Sequence, residues 1–286
     1  MEAAAAGDGV TRLIDVAHLG RERVIGCWQI GDVLVDPGPE SSLGSVIDAL
    51  GGEAPRAVLL THIHLDHAGG TGALLRRWPE IEVHVHERGA PHLADPTKLL
   101  ASAGRLYGDD MDRLWGEVLP VPEERIHILS GGEEVLGFRV AYTPGHASHH
   151  VSFLHEDSGR AFVGDTAACR VPPGDFVIPP TPPPDIDLER WSDSLDAIAA
   201  WGPTSLAITH FGEVSEPHAH IEVVRARLFE QADLARATDA EGFERALRER
   251  IADEVGPEAR DSLLQAAPPE QQWAGLDRYW RKRAGR

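Results

Sequence analysis

Hydrophobic positions follow two regimes along the chain. From 10 to 209 they form short strand-like runs broken by Gly, Pro and charged turns, and beyond 216 they recur at helical spacing. The stretch 10–36 holds three such runs, 11–16, 24–30 and 33–36, with Gly31-Asp32 as a hairpin turn and Pro37-Gly38-Pro39 as a stop that leaves Asp36 at the mouth of the third. A helix is expected over 41–50, from the spacing of Leu43, Val46, Ile47 and Leu50 and the Gly51-Gly52 stop. Strands 56–60 and 81–86 flank a helix over 71–78, which is an α/β rhythm. Helices over 90–106 and 109–118 form an insertion, and strands 126–129, 134–143, 151–155 and 161–164 follow. A helix at 188–201 and a strand at 205–209 complete a first unit of 1–215. Helices over 218–238, 241–255, 257–266 and 269–284 make 216–286 a helical extension packed on it.

The polar residues at the ends of these strands carry the chemistry. Directly after the run 56–60 comes THIHLDHAGGT (61–71), which places His62, His64, Asp66 and His67 in six positions. No regular strand face or helix stripe can present all four together, so they are expected on a loop wrapped around a borderline divalent cation. Three later strand-like runs end in the same kind of residue: His146 in a Pro-Gly turn, Asp165 after Gly164, and His210. Asp36 is either a turn former or an acceptor for a metal-bound imidazole N–H. His84 and His86 share a strand face and could form a second metal site, but they sit inside a strand whereas the HxHxDH motif lies on a loop, and they are read as strand residues.

Composition narrows the function. A 42% hydrophobic chain of 286 residues supports a full core, and its formal charge of −19 repels polyanions, so nucleic acid is excluded as a partner. No apolar run is long enough for a membrane span, and Met1 to Gly9 lacks the features of a signal peptide, so the expectation is a cytoplasmic protein without membrane contact. Cys27 and Cys169 read as buried thiols, and with lysine only at 98 and 282 the positive charges are nearly all arginine. Seven of the 21 prolines fall within 170–185, a stiff segment just after Asp165 in which Phe176 and Ile178 are candidate pocket walls.

Taken together, the HxHxDH loop, the Thr143-Pro144-Gly145-His146 turn, Gly164-Asp165 and the late His210 closely resemble the metallo-β-lactamase superfamily over about residues 10–212. The resemblance implies an α/β fold, a four-layer αβ/βα sandwich with metals at one edge of its two sheets, and makes 1–215 the catalytic unit. Carried over by position, His62, His64 and His146 would hold one metal and Asp66, His67 and His210 the other, with Asp165 bridging them. Asp36 takes a supporting place behind the ligands, and His150 is a further candidate for one. Asp165, where zinc β-lactamases of the common subclass have Cys, argues against antibiotic hydrolysis, and His64 argues against the flavodiiron branch with its HxExD pattern. The remaining likeness is to glyoxalase II, acyl-homoserine lactonases and a poorly characterised prokaryotic set of hydrolases.

The activity so implied is hydrolysis of a small ester, thioester, lactone or phosphoester by a metal-bridging hydroxide, with Asp66 relaying a proton. The cofactor is two divalent ions, zinc in first place, with iron or manganese fitting the same ligands. Tyr107 and Tyr142 are candidate oxyanion donors, and Tyr107 also a pocket residue. The partner is a small-molecule substrate, and a homodimer fits the insertion or the tail. Two other readings stand beside this one: a mononuclear iron persulfide dioxygenase using His62, His146 and Asp165, and a non-catalytic metal-binding protein.

Overall fold

The computed structural model describes residues 11–285; Val10, the expected start of the first strand, and the 1–9 segment lie outside the described residues. Two six-stranded sheets face each other. The first runs in chain order, β1 (Thr11–Asp15), β2 (Gly26–Ile30), β3 (Val33–Val35), β4 (Ala57–Leu59), β5 (Glu82–His86) and β6 (Ile126–Leu129). Its pairings are antiparallel as far as β3 and parallel from there to β6. The second comprises β7 (Glu134–Val135), β8 (Phe138–Tyr142), β9 (Val151–His155), β10 (Arg160–Phe162), β11 (Ser205–Ile208) and β12 (Gly212–Val214), antiparallel except where β10 meets β11.

Both faces of β3 are buried, in keeping with the unbroken apolar run of Val33, Leu34 and Val35. Val33, Val35 and Leu59 point inward to Trp28, Phe138, Phe153 and Phe162 of the layer between the sheets. Leu34, Val58 and Val83 point outward to the helices α1 (Leu43–Ala49) and, beyond the one-turn α2 (Leu65–Ala68), α3 (Thr71–Arg77). The insertion is α4 (Ala90–Ala94), α5 (Thr97–Tyr107) and α6 (Met111–Trp115); the expected 90–106 helix breaks at Pro96, which cannot donate a helical hydrogen bond. The expected single strand 134–143 is a hairpin, folded at Leu136 and Gly137, which both adopt positive φ.

Outside the second sheet lie α7 (Leu188–Ala200), α8 (Pro217–Ala237), α9 (Ala240–Glu254), α10 (Pro257–Ala266) and α11 (Pro269–Ala284). Leu228, Phe243, Ile251, Leu263 and Leu276 of the last four belong to the same buried cluster as Trp191 of α7 and Leu206 of β11. The result is a four-layer sandwich with a helical C-terminal region. None of the described helices is long and apolar enough to cross a membrane.

The tail reaches one point of the proline-rich segment with particular closeness. Gln272 accepts from the Thr181 N–H, and its carbonyl accepts from Thr181 Oγ1 at 3.1 Å. Gly275 lets this happen, since a Cβ there would strike the Thr181 carbonyl. Gly275→Ala is expected to push α11 away and cost about 1–3 kcal/mol of stability, as overpacking does. A thermal or denaturant midpoint unchanged from wild type would refute this.

Candidate metal centre

The chain delivers its seven polar strand-end residues to one place. The opening stretch is only partly a loop. His62 and His64 lie on it, but Asp66 and His67 sit on α2, so the loop carries the first pair and a helical turn the second. Ile63 anchors the loop in the outer core. Asp165 follows Gly164 at φ +45°, where a Cβ would meet Thr61 Oγ1 at 2.5 Å and His150 Nε2 at 2.8 Å, so only glycine brings the strand end this near.

Two donor groups result: His62, His64, His146 and Asp165 in one, and Asp66, His67 and His210 in the other. Asp165 Oδ2 lies 3.3 Å from His146 Nε2, while its Oδ1 lies 3.2 Å from His67 Nε2 and 3.5 Å from His210 Nε2. One carboxylate therefore faces both groups. Asp66 Oδ2 stands 3.4 Å from His210 Nε2 and 3.7 Å from His67 Nε2.

The tautomers of these rings follow from what lies behind them. His67 Nδ1 donates to Asp36 Oδ2 at 2.8 Å, His146 Nδ1 to the Pro180 carbonyl at 2.8 Å and His210 Nδ1 to the Val24 carbonyl at 2.6 Å. The Thr61 hydroxyl gives its proton to Asp36 Oδ2 at 2.7 Å and so receives one from His62 Nδ1 at 3.1 Å. In all four rings the Nε2 lone pair is left pointing inward. His64 uses its other nitrogen, with Nδ1 at 3.0 Å from His62 Nε2 and 2.9 Å from His146 Nε2.

Lone pairs and carboxylate oxygens crowded in this way repel unless positive charge lies among them. His67 Nε2 and Asp165 Oδ1 are buried without any hydrogen-bond partner. Burial opposes a charge on His67, yet Asp165, Asp66 and Asp36 hold its pKa well above the ordinary imidazole value, and Asp165 and Asp66 likewise raise His210 against its burial. In the other group, burial and neighbouring imidazoles push His62 well below the ordinary value and His64 down to about 4. Neutral imidazoles on one side and charge-seeking carboxylates on the other fit divalent cations.

Asp36 organises the back of the site. Fully buried, it accepts from the Thr61 N–H at 2.8 Å through Oδ1, and from Thr61 Oγ1, His67 Nδ1 and, at 3.1 Å, Thr209 Oγ1 through Oδ2. His150 also lies behind the ligands: its ring is 5.0 Å from that of His62, and its Nδ1 meets Thr143 Oγ1 at 3.0 Å and Thr166 Oγ1 at 3.2 Å.

A cavity of about 1130 Å³ opens over the ligands. Tyr107 lines it, packed edge-on against Trp115 at 5.0 Å, which in turn stacks on His18 at 5.5 Å. Phe176 and Ile178 do not wall it. Both are buried in the outer core of the second sheet, where Ile178 pairs with Cys169 through backbone hydrogen bonds, and Pro180 and 182–184 line the cavity instead. Tyr142 is not an open donor either, because its hydroxyl donates to the Ser148 carbonyl at 2.9 Å. Three lining residues carry no signal in the sequence: His149, held neutral by burial and by His64, His146 and His150, and Gln271 and Gln272 of the tail.

The family model of the metallo-beta-lactamase superfamily matches residues 31–210, a span that includes every one of these donors. The chain belongs to the metallo-beta-lactamase superfamily. Its class is that of a metallo-hydrolase with His/Asp clusters suited to divalent metals. Among its superfamily relatives, the metallo-beta-lactamase fold-containing protein ST1585 of Sulfurisphaera tokodaii is 31% identical over 198 residues, covering 66% of this chain and 72% of that protein. A hydroxyacylglutathione hydrolase of Xylella fastidiosa is 33% identical over 134 residues, 47% of this chain, and the match spans only 40% of that protein's length. The crystal structure of ST1585 from Sulfolobus tokodaii superposes with a TM-score of 0.70 at 24% identity, covering 93% of this chain and 98% of that one, a likeness of fold.

Proposed function

We propose that this superfamily member is a dinuclear metal-dependent hydrolase of small esters, thioesters, lactones or phosphoesters, with zinc as its metal. The observation that carries the reading is the position of Asp165, whose two oxygens face separate sets of inward-pointing imidazole nitrogens at 3.2–3.5 Å. A single metal on His62, His146 and Asp165 would leave the buried Nε2 of His67 without a role, which favours two metals over the mononuclear iron alternative. The partial match to hydroxyacylglutathione hydrolases supports a thioester or related acyl substrate.

Cations bound to the two groups would supply Lewis acidity and lower the pKa of water toward neutrality. The protein's own residues do the rest. His62, His67, His146 and His210 keep their Nδ1 protons turned outward, so their lone pairs stay available. Asp66 is the more open of the two carboxylates, its side chain 23% exposed against 4% for Asp165, and it lines the cavity. In this reading it takes a proton from the attacking water and passes it to the departing alkoxide or thiolate, which leaves as alcohol or thiol. Tyr107, Pro180 and Pro182 to Pro184 line the cavity that would take the substrate.

The test is a metal-defined activity screen. Protein stripped by chelator is expected to lose turnover on acyl and phosphoryl ester panels and to regain it with two equivalents of zinc. Full recovery at one equivalent of iron, with oxygen uptake on a persulfide, would replace the hydrolase reading, and two bound metals with no turnover on any panel would leave a binding protein.

A further inference from the structure

Outside the metal centre, one cluster has the composition of a second, independent cation site. Glu82 and His84 are two apart on β5 and therefore share a face, and the parallel register sets His127 of β6 directly beside His84. The two imidazoles stack with centroids 4.7 Å apart and planes 19° from parallel, and His84 Nε2 lies 3.8 Å from Glu82 Oε2. One ligand atom from each of the three residues falls within 4.8 Å of the others.

His84 supplies the observation that points to a ligand. It is only 6% exposed, yet both its ring nitrogens are buried without a hydrogen-bond partner. An imidazole so placed has lost its water and gained nothing in return, an arrangement that buried polar groups in native proteins rarely show. Its neighbours account for what it lacks: a carboxylate in front, a second imidazole alongside and an open sheet edge for entry, since β6 ends the sheet and His127 is exposed.

We propose that Glu82, His84 and His127 bind a borderline divalent cation, zinc above all, as a cross-strand chelate that clamps the edge strand β6 to β5. Zinc takes nitrogen and oxygen ligands at about 2.0–2.2 Å in a tetrahedron, which separates neighbouring ligand atoms by roughly 3.4 Å. The 3.8 Å between His84 and Glu82 is near that value, and exposed His127 is free to turn into place. Burial and the neighbouring His127 and Arg56 keep His84 neutral, with its pKa near 4, so a proton does not compete for the lone pair at neutral pH. Arg56 is itself ion-paired to Asp32 at 3.1 Å, which offsets its repulsion of a cation. Two imidazoles in the set select against magnesium and calcium, which demand oxygen. Water completes the coordination, so the site is open to exchange.

The test compares wild-type protein with His127→Ala, a change at an exposed side chain that touches no residue of the metal centre. Both are equilibrated against a zinc buffer at micromolar free metal and then analysed for bound zinc and for turnover. The wild type is expected to hold one zinc per chain more than the variant, with equal turnover, and the difference to persist in excess magnesium. Because the readout is a difference, it does not depend on how many metals the catalytic groups carry. Equal zinc content in the two proteins, or an extra equivalent held by wild type only at millimolar zinc, would overturn the proposal.

Discussion

Asp165→Ala is expected to abolish turnover and empty the metal centre, the largest single effect available in this protein. The carboxylate lies between both donor groups, within 3.2–3.5 Å of His67, His146 and His210. Removing it takes a ligand from the first group and leaves the Nε2 atoms of His67 and His210 in the second facing Asp66 alone among the carboxylates of the site. A metal's stabilisation of transition-state charge is worth several kcal/mol, so loss of the metals should cost at least about a thousand-fold in kcat. Asp165→Asn separates charge from shape. Its amide oxygen can face one group only, and the expected outcome is partial metal retention with little turnover. Elemental analysis alongside kinetics checks both variants, with circular dichroism to show that they fold. Wild-type metal content together with wild-type kcat in Asp165→Ala would remove the bridging role and the function built on it.

What the chain discloses without coordinates depends on how far each signal is local. The run 56–60 followed by HxHxDH was readable because ligand chemistry and strand ending sit within a dozen residues. The tail helices were readable from period and stops, and two, Pro257–Ala266 and Pro269–Ala284, have the very limits that the sequence predicts. The helical turn under Asp66 and His67 was not readable. Ligand spacing constrains where side chains meet, not the backbone that carries them. Phe176 and Ile178, expected as pocket walls, sit in the core for a similar reason: apolar residues in a proline-rich segment beside a site can face the core as readily as the cavity, and the Cys169–Ile178 pairing decides it. His149 and Gln272 reach the cavity through contacts between distant segments, and the pairing of Glu82 and His84 with His127 depends on the β5–β6 register, which no local pattern encodes.

Asp36 is where stability and metal binding are joined, and Asp36→Ala is expected to damage both. The carboxylate has no solvent exposure and satisfies four donors, the Thr61 N–H and the groups at Thr61 Oγ1, Thr209 Oγ1 and His67 Nδ1. Alanine would leave all four buried without an acceptor. Its methyl group would also occupy a left-handed backbone at φ +51°, which Asp tolerates better than most residues. Breaking a buried, hydrogen-bonded charge costs about 3–5 kcal/mol, enough to threaten a fold of ordinary stability. Asp36→Asn keeps the shape and the backbone preference, and offers one oxygen and one NH₂ where two oxygens stood. At least one of the donors then meets another donor. If that donor is His67 Nδ1, the ring can turn its proton inward and withdraw its lone pair from the site. The expected result for Asp36→Asn is a folded protein whose metal affinity is lower by about 10–100-fold, the usual effect of losing such a partner. Turnover should be recoverable at high zinc, unlike that of Asp165→Ala. Metal titration of the folded Asn variant decides the matter: wild-type affinity would mean that Asp36 holds only the loop and not the tautomer of His67.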